Sequence, residues 1–236
     1  GFWTLIIFAS WTGLSNLNGG PVPAWMMSVG VAASMMTLIP LLSIVLNLHL
    51  TLDGHYEAMS WSPTLRFTVF GLYGFLFSGV LAVLLALPSF NAVMQFSDVI
   101  PGASLLSLYG FVSMTFFGAI YYIVPRLINA EWPCVKLIRW HFWFALSGLL
   151  LALSCLILGG LLQGFAQFDV ASTFRSSIEF VSPFRFLTAL SSGLLVLAHL
   201  SFAFLFVLML LKTGKSLSGP ALLNEPTENS LENLAV

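Results

Sequence analysis

Several stretches of this sequence are long and apolar enough to cross a lipid bilayer, and they limit what the chain can fold into. A spanning helix needs about 20 mostly apolar residues, because it satisfies its own backbone hydrogen bonds where lipid offers no partner. Residues 146–162 and 187–211 show none of the alternation of apolar and polar residues that barrel strands require. The sequence therefore predicts an all-α, polytopic membrane helix bundle.

The composition agrees with this prediction and removes one class of function. Hydrophobic residues make up 58% of the 236 residues and charged residues only 7%, whereas roughly a quarter of a soluble domain is charged. The chain has 8 basic and 9 acidic residues, so it lacks the excess positive charge of a nucleic-acid-binding protein. We expect the lipid bilayer to be its main surroundings and nucleic acid not to be a partner.

About six spans are predicted. They run Phe2–Leu14, Trp25–Leu52, Thr64–Leu87, Gly102–Leu127, His141–Phe165 and Pro183–Leu211. The first is too short to cross alone, so the chain is predicted to be truncated at its N-terminus. Residues 1–212 then form the bundle, and the polar, acidic residues 213–236 form a disordered tail.

The distribution of lysine and arginine predicts the orientation, because basic flanks are retained on the cytoplasmic side. The connections alternate between two faces. One face carries Arg66, Arg126, Lys136, Arg139, Lys212 and Lys215, and the other carries Arg175 and Arg185. The C-terminus is therefore predicted to be cytoplasmic.

Two histidines lie where they could act inside the membrane or at its surface. His199 falls in the middle of the last span, where it could ligate heme, relay a proton, or simply form a hydrogen bond across a helix interface. His141 opens the fifth predicted span beside Trp143, a combination typical of the headgroup zone. We expect His199 to bond across an interface and His141 to anchor its helix.

The other two histidines and the carboxylates give little support for a metal site or a proton pump. His49 lies near Asn47, Asp53 and His55, which predicts an interfacial polar cluster. No two histidines have the spacing of three or four residues that would place two ligands on one helix face. The carboxylates before the predicted tail all fall in predicted connections: Asp53, Glu57, Asp98, Glu131, Asp169 and Glu179.

Short sequence motifs along the chain carry a family resemblance through their order and spacing. They include Trp11-Thr12-Gly13, Pro63-x-Leu65-Arg66-Phe67, Gly118-Ala119-x-Tyr121, Pro125-Arg126 and His141-Phe142-Trp143. In these the chain resembles the second half of the catalytic subunit I of heme-copper oxidases, in particular the C-family, cbb3-type cytochrome c oxidases. The resemblance implies the last six of twelve helices, a bacterial inner membrane, and other membrane subunits of a respiratory complex as partners.

The resemblance does not extend to the ligands. The family holds heme b, a high-spin heme and copper, but Ser15 and Asn16 stand where two histidines bind the copper. Ala103 and Leu105 stand where two histidines bind the heme irons. The family's redox-active tyrosine falls near Ala9, its third-helix glutamate near Leu81, and its propionate-binding arginine near Thr188, one turn from Arg185. We therefore predict no catalytic, cofactor-binding or metal-binding residue in this chain, and no cofactor.

Three functions follow from these observations. The first is a degenerate, non-catalytic subunit that supports a respiratory membrane complex. The second is a partial sequence of a cbb3-type terminal oxidase that reduces oxygen, in which a missing half supplies one heme histidine and one copper histidine. The third is a small-molecule transporter or channel that uses the emptied heme cavity, lined by Ser15, Asn16, Ser104 and Ser107. A polar cavity of several hundred Å³ would favour the third function, and a tightly packed centre would favour the first.

Overall fold

The computed structural model describes residues 1–17, 20–169, 171, 173–211 and 214, and its regular elements are helical. The helices are α1 (Phe2–Thr12), a 3₁₀ helix (Gly13–Leu17), α2 (Ala24–Leu52), α3 (Ala58–Trp61), α4 (Pro63–Ala86), α5 (Pro88–Met94), α6 (Val99–Leu105), a π-helical segment (Leu106–Ser113), α7 (Met114–Ile128), α8 (Val135–Phe168) and α9 (Phe174–Leu210). The predicted all-α bundle is confirmed.

Among the described residues, five helical runs are long and apolar enough to cross a membrane. They are Ala24–Leu52, Pro63–Ala86, Val99–Ile128, Val135–Phe168 and Phe174–Leu210, and the third joins α6, the π-helical segment and α7. Helix α1 has 11 residues, about 16 Å at 1.5 Å per residue, which is too short to span alone. The chain is an integral membrane protein whose described part has five candidate spans and, before them, the shorter apolar helix α1.

Two helices begin before the predicted spans. Helix α8 begins at Val135 rather than His141, and α9 begins at Phe174 rather than Pro183. The Thr173 hydroxyl accepts a hydrogen bond from the Ser176 amide at 3.3 Å and caps α9 nearly three turns before the proline. Proline does not end the helix, because packed neighbours in a membrane bundle can satisfy the backbone groups that it frees. Glu179, assigned to a connection, lies inside α9.

Each long helix packs mainly against the helices that precede and follow it. The contacts run α1 with α2, α2 with α4, α4 with α7, α6 with α8, and α8 with α9. The larger buried cluster joins α4, α7, α8 and α9 around Phe67, Tyr121, Phe142 and Leu205. The end of the bundle where α7 finishes and α8 begins is therefore the more densely packed end.

The α4 helix and the π-helical segment touch through their backbones. A methyl group at Gly74 would collide with the backbone of Gly110, so only glycine permits this approach. Within the segment, the Ser113 hydroxyl donates to the Leu108 carbonyl five residues back at 3.0 Å, which matches the wider winding of a π-helix. This contact fixes the position of α6, which continues into the segment.

The predicted cytoplasmic tail, residues 213–236, lies outside the described part of the chain except for Gly214. Its predicted disorder and its cytoplasmic location stay predictions. The same is true of the contributions of Lys212 and Lys215 to the orientation.

Candidate functional site

A polar cavity of about 480 Å³ opens between the first part of the chain and helices α2, α4, α5 and α6. Most of its lining side chains carry a hydroxyl or an amide, and the described lining holds no ionisable side chain. They are Thr12, Ser15, Asn16, Ser34, Ser78, Ala82, Leu85, Asn91, Gln95, Ile100, Ala103, Ser104 and Ser107. The four side chains expected to line an emptied cavity, Ser15, Asn16, Ser104 and Ser107, do lie around one cavity.

The 3₁₀ helix brings Ser15 and Asn16 to the cavity. It packs so closely on α2 that a methyl group at Gly30 would collide with the backbone of Leu14 and Ser15. The Ser15 hydroxyl donates to the Thr12 carbonyl at 2.7 Å, and Ser15 is buried. The closeness of two backbones therefore sets the depth of Ser15 in the cavity.

Helices α5 and α6 form another wall. Asn91 is buried, and its Nδ2 donates to the Leu85 carbonyl at 2.8 Å across the turn between α4 and α5. Ala103, Ser104 and Ser107 follow on α6 and the start of the π-helical segment. Asn91 is one of the short matches on which the family resemblance rests, but the sequence did not place it at a cavity, because its position there depends on this tight turn.

A charged pair fixes the start of α6 beside the cavity. Arg185 of α9 donates from Nε to Asp98 Oδ2 at 3.0 Å and from Nη2 to Asp98 Oδ1 at 3.1 Å. The Asp98 amide donates to the Gln163 side chain of α8 at 2.8 Å. Arg185, which lies one turn from the position expected for the propionate-binding arginine, thus binds a carboxylate of its own chain.

The cavity offers no donor set that fits heme or copper. Copper and heme iron in such a bundle require imidazole, and the hydroxyl and amide of Ser15 and Asn16 are poor substitutes. Ala103 and Leu105 have no donor atom at all. Among the described residues, no group of three or more histidine, cysteine, aspartate or glutamate side chains could hold a metal ion.

The four histidines of the chain lie away from the cavity lining. His49 packs its ring against Tyr56 at 5.4 Å between centroids, and the Tyr56 hydroxyl donates to the His49 carbonyl at 3.3 Å. The ring of His55 contacts the Asp53 carbonyl at 3.1 Å. Two neighbouring local contacts therefore replace the single polar cluster predicted around His49.

His141 is buried, and its predicted role as an interfacial anchor is wrong. Its side chain is 0% exposed, and its Nδ1 lies 2.8 Å from the Tyr121 hydroxyl. Phe67 and Phe117 pack on the imidazole at 5.0 and 4.5 Å between centroids. In the part of the chain that is described, Nε2 has no hydrogen-bond partner.

His199 makes aromatic contacts instead of the hydrogen bond expected across a helix interface. Its ring lies 5.6 Å from that of Tyr109 in an edge-to-face arrangement and 5.9 Å from that of Phe117. Phe117 thus contacts both His199 and His141. The Tyr109 hydroxyl is buried and has no hydrogen-bond partner among the described residues.

Comparisons with known proteins agree with the fold. The family described as cytochrome c and quinol oxidase polypeptide I matches residues 1–197. The bacteroid cytochrome c oxidase subunit 1 homolog of Bradyrhizobium diazoefficiens is 28% identical over 86% of this chain and 38% of its own length. The cbb3-type cytochrome c oxidase subunit CcoN1 of Stutzerimonas stutzeri is 30% identical over 69% of this chain and 35% of its own length.

A solved structure shows the same fold at lower sequence identity. A heme-copper terminal oxidase dimer, determined by cryo-EM, matches with a TM-score of 0.69 at 16% identity, covering 96% of this chain and 45% of that chain. This chain therefore spans less than half the length of the relatives that it matches.

Proposed function

We propose that this chain, which belongs to the cytochrome c and quinol oxidase polypeptide I family, keeps the family's helix framework and holds neither heme nor copper. Four side chains at the positions of the family's ligands support this proposal. Ser15, Asn16, Ala103 and Leu105 offer hydroxyl, amide and hydrocarbon groups where imidazole is required. The chain would then act as a structural or accessory subunit of a respiratory membrane complex.

The positions of the histidines carry this proposal. None of the four lines the cavity, and two of them, His141 and His199, pack within an aromatic group on α7, α8 and α9. A small shift in alignment would not bring them into the cavity. We accordingly propose that the residues at the family's ligand positions in this chain are neither catalytic nor metal-binding.

The proposed location is the bacterial inner membrane, with the C-terminus in the cytoplasm. Arg66, Arg126, Lys136 and Arg139 lie at the bundle end where α4 and α8 begin and α7 ends, and Arg175 lies near the opposite end. This asymmetry supports retention of the first end on the cytoplasmic side. The membrane partners are proposed to be other subunits of a respiratory complex.

An absorption spectrum tests the absence of heme. We expect the full-length protein, purified from membranes, to show no Soret band and no stoichiometric iron or copper by elemental analysis. His199→Ala removes the mid-span imidazole, and His49→Ala is its control at the end of α2. A Soret band that persists in His49→Ala and disappears in His199→Ala would contradict the proposal.

A second function is favoured by the cavity itself. The cavity is half open and has a volume of about 480 Å³, within the range of roughly 300–1,000 Å³ that is usual for ligand pockets. This volume supports the binding, or the passage, of a small molecule.

A further inference from the structure

We infer that the polar cavity binds an uncharged solute that donates several hydrogen bonds, such as a small polyol. This inference rests on the second proposed function, in which the cavity takes up a small molecule, and it adds the chemical class. It depends on the direction in which the hydroxyl groups of the lining donate their protons.

Six hydroxyl groups of the lining already donate to backbone carbonyls of their own segments. A hydroxyl has one proton and two lone pairs, so each oxygen can only accept a further hydrogen bond while this arrangement persists. The six donor–acceptor distances are 2.9 Å for Thr12, 2.7 Å for Ser15, 2.8 Å for Ser34, 3.0 Å for Ser78, 3.2 Å for Ser104 and 3.1 Å for Ser107. These six hydroxyl groups therefore favour a solute that brings its own donors.

The described lining carries no charged side chain, and this narrows the class of solute that the cavity would bind. Transfer of an ion from water into a membrane-embedded site without a counter-charge is unfavourable. The nearby carboxylate of Asp98 is not part of the lining and is bound by Arg185 through two hydrogen bonds. An uncharged solute avoids this penalty, and the apolar side chains of Leu85 and Ile100 fit the carbon chain of a polyol.

A second depression adjoins the cavity. It has a volume of about 460 Å³, is lined by Gly20, Pro21, Val22 and Phe96 among others, and shares Asn16 and Gln95 with the cavity. It lies at the bundle end where the 3₁₀ helix leads into α2 and α5 leads into α6. A solute can thus reach the hydroxyl groups from that end.

Two probes of similar size separate donation from acceptance. Erythritol carries four hydroxyl donors, and diglyme carries ether oxygens that can only accept. We would measure the binding of each to the full-length protein in nanodiscs by equilibrium dialysis. The expected result is saturable binding of erythritol and no saturable binding of diglyme.

Matched variants locate the binding site. The triple variant Ser34→Ala, Ser104→Ala and Ser107→Ala removes three acceptors from the cavity, and alanine is a good helix former. Its control is Ser147→Ala, Ser154→Ala and Ser201→Ala, three hydroxyls of α8 and α9 with the same kind of backbone hydrogen bond. We expect the cavity variant to weaken erythritol binding about tenfold or more, and the control to leave it unchanged.

Each other outcome overturns a defined part of the inference. Equal binding of both probes would overturn the preference for donors and would leave the second proposed function intact. Equal loss in the two triple variants would overturn the location. If neither probe binds, the inferred class of solute is wrong, and the second proposed function would require a solute of another class. The absence of heme is decided separately by the absorption spectrum.

Discussion

Tyr121→Phe removes one hydroxyl from a fully buried polar contact and keeps the ring that surrounds it. In the native protein this hydroxyl lies 2.8 Å from Nδ1 of His141, and both side chains are 0% exposed. Nε2 of His141 already has no hydrogen-bond partner among the described residues. The substitution therefore leaves the imidazole without a polar partner at either nitrogen.

Two known ranges bound the expected loss in the free energy of unfolding. A buried polar group left unsatisfied in a soluble protein costs about 1–3 kcal/mol. Polar pairs in membrane bundles contribute less, about 0.6 kcal/mol on average and about 1.7 kcal/mol at most, because the unfolded chain also finds partners in the bilayer. The phenylalanine ring keeps the contacts of Tyr121 with Phe67 and Trp132 at 5.3 and 5.1 Å between centroids. We expect a loss of about 1–1.5 kcal/mol, near the upper end of the membrane range.

Reversible unfolding in mixed micelles with increasing SDS would measure this loss. Tyr122→Phe is the matched control, because Tyr122 is 39% exposed and keeps its stacking under Arg126, 3.5 Å from the ring centroid. Its expected effect is below about 0.5 kcal/mol. A double-mutant cycle with His141→Phe isolates the pair. Equal effects of the two tyrosine substitutions, or a coupling energy of zero, would refute the reasoning.

The remaining predictions concern contacts that hold the helices together, and the same unfolding assay measures them. Asp98→Asn should lower the free energy of unfolding by about 1 kcal/mol, because it breaks the two-bond pair with Arg185. The control Glu179→Gln breaks an exposed pair within one helix and should change the free energy of unfolding by less than about 0.5 kcal/mol. Equal effects of the two substitutions would contradict this prediction. Gly74→Val should destabilise the protein by about 1–3 kcal/mol, because the added side chain meets the backbone of the π-helical segment. Gly193→Ala, where a methyl group meets no atom within 4 Å, should stabilise α9 by up to about 1 kcal/mol. A neutral Gly74→Val would show that α4 and the segment can move apart.

The sequence predicts the helical class well, because long apolar runs have few physical solutions in lipid. It fails at boundaries where charged residues occur inside a helix. Lys136 and Arg139 are predicted to lie in a connection and the span is predicted to begin at His141, whereas helix α8 begins six residues earlier, at Val135. The prediction places His141 at the membrane surface, whereas it lies nearly two turns inside the helix and faces Tyr121.

The cavity was predictable only in part. The resemblance pointed to Ser15, Asn16, Ser104 and Ser107, and all four line it. Ser34 and Ser78 gave no signal, because the rotation of α2 and α4 about their axes decides which side chains face the cavity. The π-helical segment was equally hidden, since its residues have the composition of an ordinary apolar helix.

The π-helical segment has a consequence for insertions and deletions in this span. A π-helix accommodates more residues per turn than an α-helix, so the segment stores extra chain length between Ala103 and Tyr121. Loss of one residue within Leu106–Ser113 would let the segment shorten toward α-helical winding, with both flanking helices intact. The same loss elsewhere in an α-helix would turn every later side chain by about a quarter of a circle. The π-helical segment thus allows α6, which forms a wall of the cavity, and α7, which packs on the aromatic group around His141, to be aligned independently.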